Sequence, residues 1–77
     1  MFRVYEEIET YKSGFERYET VVVEFENYDE AVQEFENRVA AHIEAGHEED
    51  FRSDKAACYI DFDGGKYAAA TYTIMIH

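Results

Sequence analysis

Hydrophobic and polar residues alternate along the first third of the chain. In FRVYEEIETY, residues 2–11, Phe2, Val4 and Ile8 point one way, while Arg3, Tyr5, Glu7, Glu9 and Tyr11 point the other. In FERYETVVVEFE, residues 15–26, Phe15, Val21, Val23 and Phe25 share a side. A period of two predicts strands with one buried face. Between them KSGF suggests a two-residue turn at Ser13-Gly14 that pairs Lys12 with Phe15. Counting back from that turn, Phe2 faces Phe25, Val4 faces Val23 and Glu6 faces Val21. On the opposite side Arg3 meets Glu24, Tyr5 meets Val22, Glu9 meets Tyr18 and Tyr11 meets Glu16. Apolar meets apolar, and a slip of one residue would undo it, so the hairpin register is specified.

The tetrapeptide EFEN occurs at 24–27 and again at 34–37, in two different settings. The first ends a strand, with Phe25 inward, Glu24 and Glu26 outward, and Asn27 placed to cap a helix with Glu30 as its capping-box partner. From Tyr28, apolar residues recur at Val32, Phe35, Val39 and Ile43, one face of a helix that Gly46 ends. The second EFEN is therefore helical, with Phe35 in the core. GHEEDFRSDK reads as a polar loop of ten residues pinned by Phe51.

AACYIDF and YAAATYTIMI flank DGGK and predict a second hairpin. A three-residue loop, Asp63-Gly64-Gly65, with Gly65 as a left-handed bulge, pairs Phe62 with Lys66, Ile60 with Ala68 and Cys58 with Ala70. That choice puts Cys58, Ile60 and Phe62 on the inner face with Tyr72, Ile74 and Ile76. The predicted fold is α+β over a single domain, residues 1–77. It has two layers in the order β-β-α-β-β, a four-stranded antiparallel sheet with one helix on one face. The second and fourth strands, as the most apolar, are expected in the centre.

Composition adds one decisive feature. Eighteen Asp and Glu against seven Lys and Arg leave a net charge of −11 on 77 residues. Such a charge repels nucleic acid and anionic lipid, so a basic protein is the natural partner, with no direct nucleic-acid or membrane binding expected. Solubility or adaptation to high salt is the plain alternative. The lone Cys58 excludes an internal disulfide and reads as a small buried hydrophobe in a reducing, cytoplasmic setting. The N-terminus lacks the apolar run of a signal peptide, and no stretch reaches the roughly 20 apolar residues of a membrane span.

Candidate chemistry is thin. His42 and His47 are five apart, about 140° around a helix, which is not the spacing of a metal-binding pair. A zinc site from His42, His47 and Cys58 is imaginable, but His42 reads better as a partly buried histidine beside Ile43. Asp61 and Asp63 lack the loop ligands that calcium needs, and Gly64-Gly65 closes a hairpin rather than cradling a phosphate. No cofactor, metal or catalytic residue is expected. The richer feature is the sheet face away from the helix. It should carry Tyr5, Glu7, Glu9, Tyr11, Glu16, Tyr18, Glu24, Glu26, Tyr59 and Asp61, with Glu48, Glu49 and Asp50 extending the field from the loop. An ordinary solvated sheet face is the plain reading of these residues. Tyrosine gives large contact area at low entropic cost, which favours a protein-binding face. Tyr5, Val22 and Met75 could also pair two copies of the chain.

In size, acidity and lack of motif the chain resembles small phage proteins that block host defence, anti-CRISPR and anti-restriction DNA mimics among them. The resemblance is compositional over the whole length and assigns no residue a role. It implies a viral inhibitor, active in the host cytoplasm, that occupies the basic nucleic-acid groove of a larger protein. An immunity protein against a basic nuclease toxin fits the same composition. A reading of another class is a small module or enzyme subunit that encloses a cationic ligand between tyrosines and glutamates.

Overall fold

The computed structural model describes residues 1–12 and 14–77. Its elements are β1 (Phe2–Thr10), β2 (Arg17–Phe25), α1 (Tyr28–Glu44), β3 (Glu48–Arg52), β4 (Ala56–Asp63) and β5 (Tyr67–Ile76). They form one antiparallel sheet in the order β2-β1-β5-β4-β3, with α1 against one face. The class is α+β as predicted, but the sheet has five strands, not four.

The first hairpin follows its sequence pattern. Phe2 pairs with Phe25, Val4 with Val23, Arg3 with Glu24 and Glu9 with Tyr18. The Phe15 N–H donates to the Lys12 carbonyl at 2.8 Å, closing the hairpin. The turn expected at Ser13-Gly14 falls partly on Ser13, which lies outside the described residues.

Helix α1 begins where Asn27 accepts a hydrogen bond from the Asp29 N–H at 2.8 Å. It ends at Gly46, whose φ of 85° lets the chain reverse. There the Gly46 N–H donates to the Ile43 carbonyl and the His47 N–H to the His42 carbonyl, the paired bonds of a Schellman motif. The buried stripe is Ala31, Phe35, Val39 and His42. It is rotated from the predicted face, so Ile43 is 59% exposed and His42 takes the inner position. The core joins that stripe to Val4, Ala57, Tyr59, Ile74 and Ile76, with Phe25 and Val32 at its margin.

Three departures change what lies on the surface. First, Glu48–Arg52 is an edge strand rather than a loop, paired with β4 around a bulge between Glu49 and Phe51. The bulge breaks the period of two, leaving no alternation to read in the sequence. Phe51 does not pin a loop; it is 54% exposed.

Second, β5 and β1 are the inner strands of that end of the sheet, and the valine-rich β2 is an edge. Third, β4 is turned over. The hairpin loop is Gly64–Lys66, with Asp63 opposite Tyr67, and the register then shifts between Asp61 and Phe62, leaving Ala69 unmatched. One extra residue inverts every side chain beyond it. Ala57 and Tyr59 therefore lie under the helix, while Cys58, Ile60 and Phe62 face the other way.

Candidate functional site

Among the described residues nothing covers the sheet face opposite α1. Strand register places Tyr18, Thr20, Val22 and Glu24 of β2 there, beside Arg3, Tyr5, Glu7 and Glu9 of β1. Thr71, Thr73 and Met75 of β5 follow, then Cys58 and Ile60 of β4, and Phe51 with Glu48 on β3. Tyr11 folds onto this face, donating to Glu9 at 3.1 Å and accepting from Thr71 at 3.2 Å. Arg3 reaches across to Glu24 at 3.4 Å, and that contact raises its already high pKa further.

Of the expected partner-binding residues, the structure gathers Tyr5, Glu7, Glu9, Tyr11, Tyr18, Glu24 and Glu48 on this one face. Glu16 and Glu26 lie just outside the strands, exposed in the turns that flank β2. Asp50 sits at the β3 bulge. Three expectations are corrected by the inversion of β4 and by the β3 pairing. Tyr59 is fully buried against the helix, 0% exposed. Asp61 pairs with Ala70 on the helix side, and Glu49, opposite Tyr59, shares that side.

The face therefore has two characters rather than one anionic plane. The β2–β1 half bears tyrosines and carboxylates. The β5–β4–β3 half is nearly neutral, with half-buried Met75, Cys58, Ile60 and Phe62 and the exposed ring of Phe51. Cys58, expected in the core, is half-buried here, with the Thr73 hydroxyl 3.8 Å from its sulfur. The remaining acids are spread over the helix, the edge strand and the turns.

A second polar grouping, invisible in the sequence pattern, lies under the end of the helix. Glu6 takes His42 Nε2 at 2.8 Å on one carboxylate oxygen and Arg38 at 3.1 Å on the other. Arg38 also donates to Glu34 at 2.7 Å. His42 Nδ1 lies 2.9 Å from His47 Nδ1, and the His47 ring stacks on Tyr72 at 5.0 Å. His42 stacks on Tyr59, whose hydroxyl donates to Glu49 and accepts from Arg52. Arg52 in turn holds Glu36 of the helix at 3.0 Å, tying the edge strand to α1. Burial raises the pKa of Tyr59, with the Arg52 bond opposing the rise. Burial also raises that of Tyr72, aided by the charges of Asp61 and Glu6.

Every buried side-chain polar atom among the described residues has a partner, so this network is fully satisfied within the fold. The zinc set imagined from His42, His47 and Cys58 is not brought together. Cys58 lies on the opposite side of the sheet from His42, and no group of three His, Cys, Asp or Glu among the described residues is placed to hold an ion. Among the described residues no helix is long and apolar enough to cross a membrane.

Beyond the C-terminal end of α1 the helix-side surface opens into a cleft of about 440 Å³, floored by β1 and β5 and walled by the first hairpin and by β4. Comparison of the chain with family models, with curated proteins and with solved structures finds no match.

Proposed function

We propose that the chain is a binding module and not an enzyme. In this reading it is an acidic inhibitor whose uncovered sheet face meets the basic nucleic-acid-binding surface of a larger protein. The observation that carries this is the face itself. Its Tyr5, Tyr18, Glu7, Glu9 and Glu24 stand on two adjoining strands, with Tyr11 folded onto them and carboxylates on one strand about 6.8 Å apart on a stiff frame. Carboxylates there take the place of phosphates. Next to them an apolar area from Met75 to Phe51 supplies the desolvated centre that a specific interface needs. Immunity to a nuclease toxin and inhibition of a host defence nuclease are two settings of this same contact.

The test is a pair of charge reversals of equal size. Glu7, Glu9 and Glu24 changed to Lys should abolish capture of basic nucleic-acid-binding proteins. Glu30, Glu44 and Asp54 changed to Lys, all exposed and off this face, should leave most of it. Equal losses from both variants would mean that net charge alone governs binding.

A second reading is favoured by the apolar half alone. Cys58, Ile60, Met75 and Phe51 could meet the same residues of a second copy, closing the two sheets face to face. Repulsion between two chains of −11 opposes this, so such a dimer should strengthen as salt is added, the reverse of binding to a basic partner.

A further inference from the structure

The cleft beyond the helix end carries opposite charges at its two ends. One row of the sheet crosses it: Arg17 pairs with Thr10, Thr10 with Ala70, and Ala70 with Asp61. A cation stands at one end of that row and a carboxylate at the other, with two small residues between. Lys12 reinforces the basic end from the hairpin, and Asp63 the acidic end. Three strand spacings put the Cα atoms of Arg17 and Asp61 about 14 Å apart.

These charges do not satisfy one another. Among the described residues no ion pair joins Lys12 or Arg17 to Asp61 or Asp63. Among the described residues the one ion pair of Arg17 is with Glu19, at 3.6 Å, with both side chains more than half exposed and Glu19 outside the cleft. Three other arginines, Arg3, Arg38 and Arg52, are held by carboxylates of the fold. In so acidic a protein the hairpin end of this cleft is a place where an anionic group is welcome. The rings of Tyr72 and Phe15 line its flanks.

The geometry points to a binding site for a small dipolar ligand, a dipeptide-sized molecule with a free carboxylate and a free ammonium. Its carboxylate would lie toward Arg17 and Lys12, its ammonium toward Asp61 and Asp63, and its side chains over Ala70 against Tyr72. An extended dipeptide spans at most about 7 Å, and Arg17 and Asp61, which both line the cleft, have long enough side chains to close on it from the two ends. The volume lies within the usual range for small-molecule sites, roughly 300–1,000 Å³. The site is on the opposite side of the sheet from the partner-binding face, so either can exist without the other.

The test is an amide NMR titration of the full chain with alanyl-leucine, with its N-acetylated and its C-amidated forms, and with the variants Arg17→Gln and Asp61→Asn. The expected result is saturable shifts at Thr10, Asp61, Ala70 and Tyr72 with the free dipeptide. Blocking either terminus, or making either substitution, should weaken binding by about tenfold or more, the effect of losing one charge-assisted contact. Both substituted side chains lie at the surface of the cleft, and the spread of amide signals confirms folding in each variant. The absence of saturable shifts would overturn the site. So would shifts on the open sheet face, or binding that survives the loss of either charged end.

Discussion

His42 Nδ1 lies 2.9 Å from His47 Nδ1, although the helix that carries His42 ends before His47 is reached. With both rings neutral, the contact sets the direction of a short hydrogen-bond chain. The Glu6 carboxylate accepts, so His42 Nε2 is the donor at 2.8 Å. The Nδ1 of a neutral His42 then carries a lone pair, and His47 must present its Nδ1–H. Long-range nitrogen–proton correlation, at a pH where both rings are neutral, should therefore show the Nε2–H tautomer for His42 and the Nδ1–H tautomer for His47. The opposite assignment for either ring would break the chain.

Glu6 is the hub of this grouping, holding His42 and Arg38 at once in a largely buried position. Glu6→Leu should lower stability by about 3 kcal/mol, because it leaves the buried His42 Nε2 without its partner and Arg38 with Glu34 alone. Glu19→Leu, on the exposed edge strand, should stay within about 0.5 kcal/mol. Urea unfolding of the two variants checks the contrast.

Tyr59 and Tyr72 both have raised pKa values with burial as the largest cause, so the folded state resists their ionisation. Their neutral forms cost nothing below the ordinary tyrosine range, near 10. As pH climbs past that range the unfolded chain releases protons that the folded chain retains, and stability falls. Thermal melts should show this alkaline loss, and Tyr72→Phe should reduce it. An alkaline limb unchanged in Tyr72→Phe would remove Tyr72 as its source.

The inversion of β4 makes a prediction about surface chemistry. Cys58, half-buried on the uncovered face, should react with a small maleimide in the folded protein without global unfolding. Ile43→Ser, on the outward side of the helix, should shift stability by no more than about 0.5 kcal/mol. Val39→Ala, on the inward side, should cost about 2 kcal/mol. Protection of Cys58 until the chain unfolds would contradict the assigned face.

These cases also mark what could be read from the sequence. The first hairpin was legible because a short turn fixes its count, and one face of both strands must be buried. The second was not. Its odd loop length was right, yet the unmatched Ala69 reverses the parity that the loop sets, carrying Tyr59 and Asp61 away from the open face. β3 was hidden by its bulge and its charges, features that protect an edge strand and also erase its pattern. His42 and His47 look divergent on an ideal helix. The left-handed Gly46 turns the chain back, and only that reversal brings the rings together. Glu6 passed as a polar residue in an alternating strand, with nothing local to signal its partners 32 and 36 residues away.

The most direct measurement is competitive capture on the immobilised chain from a candidate host extract, read by mass spectrometry at rising salt and with added duplex DNA. The account predicts that a basic nucleic-acid-binding protein is retained by the unaltered chain, displaced by the DNA, weakened by salt, and lost when Glu7, Glu9 and Glu24 become Lys. Retention indifferent to both the DNA and those three reversals would contradict it.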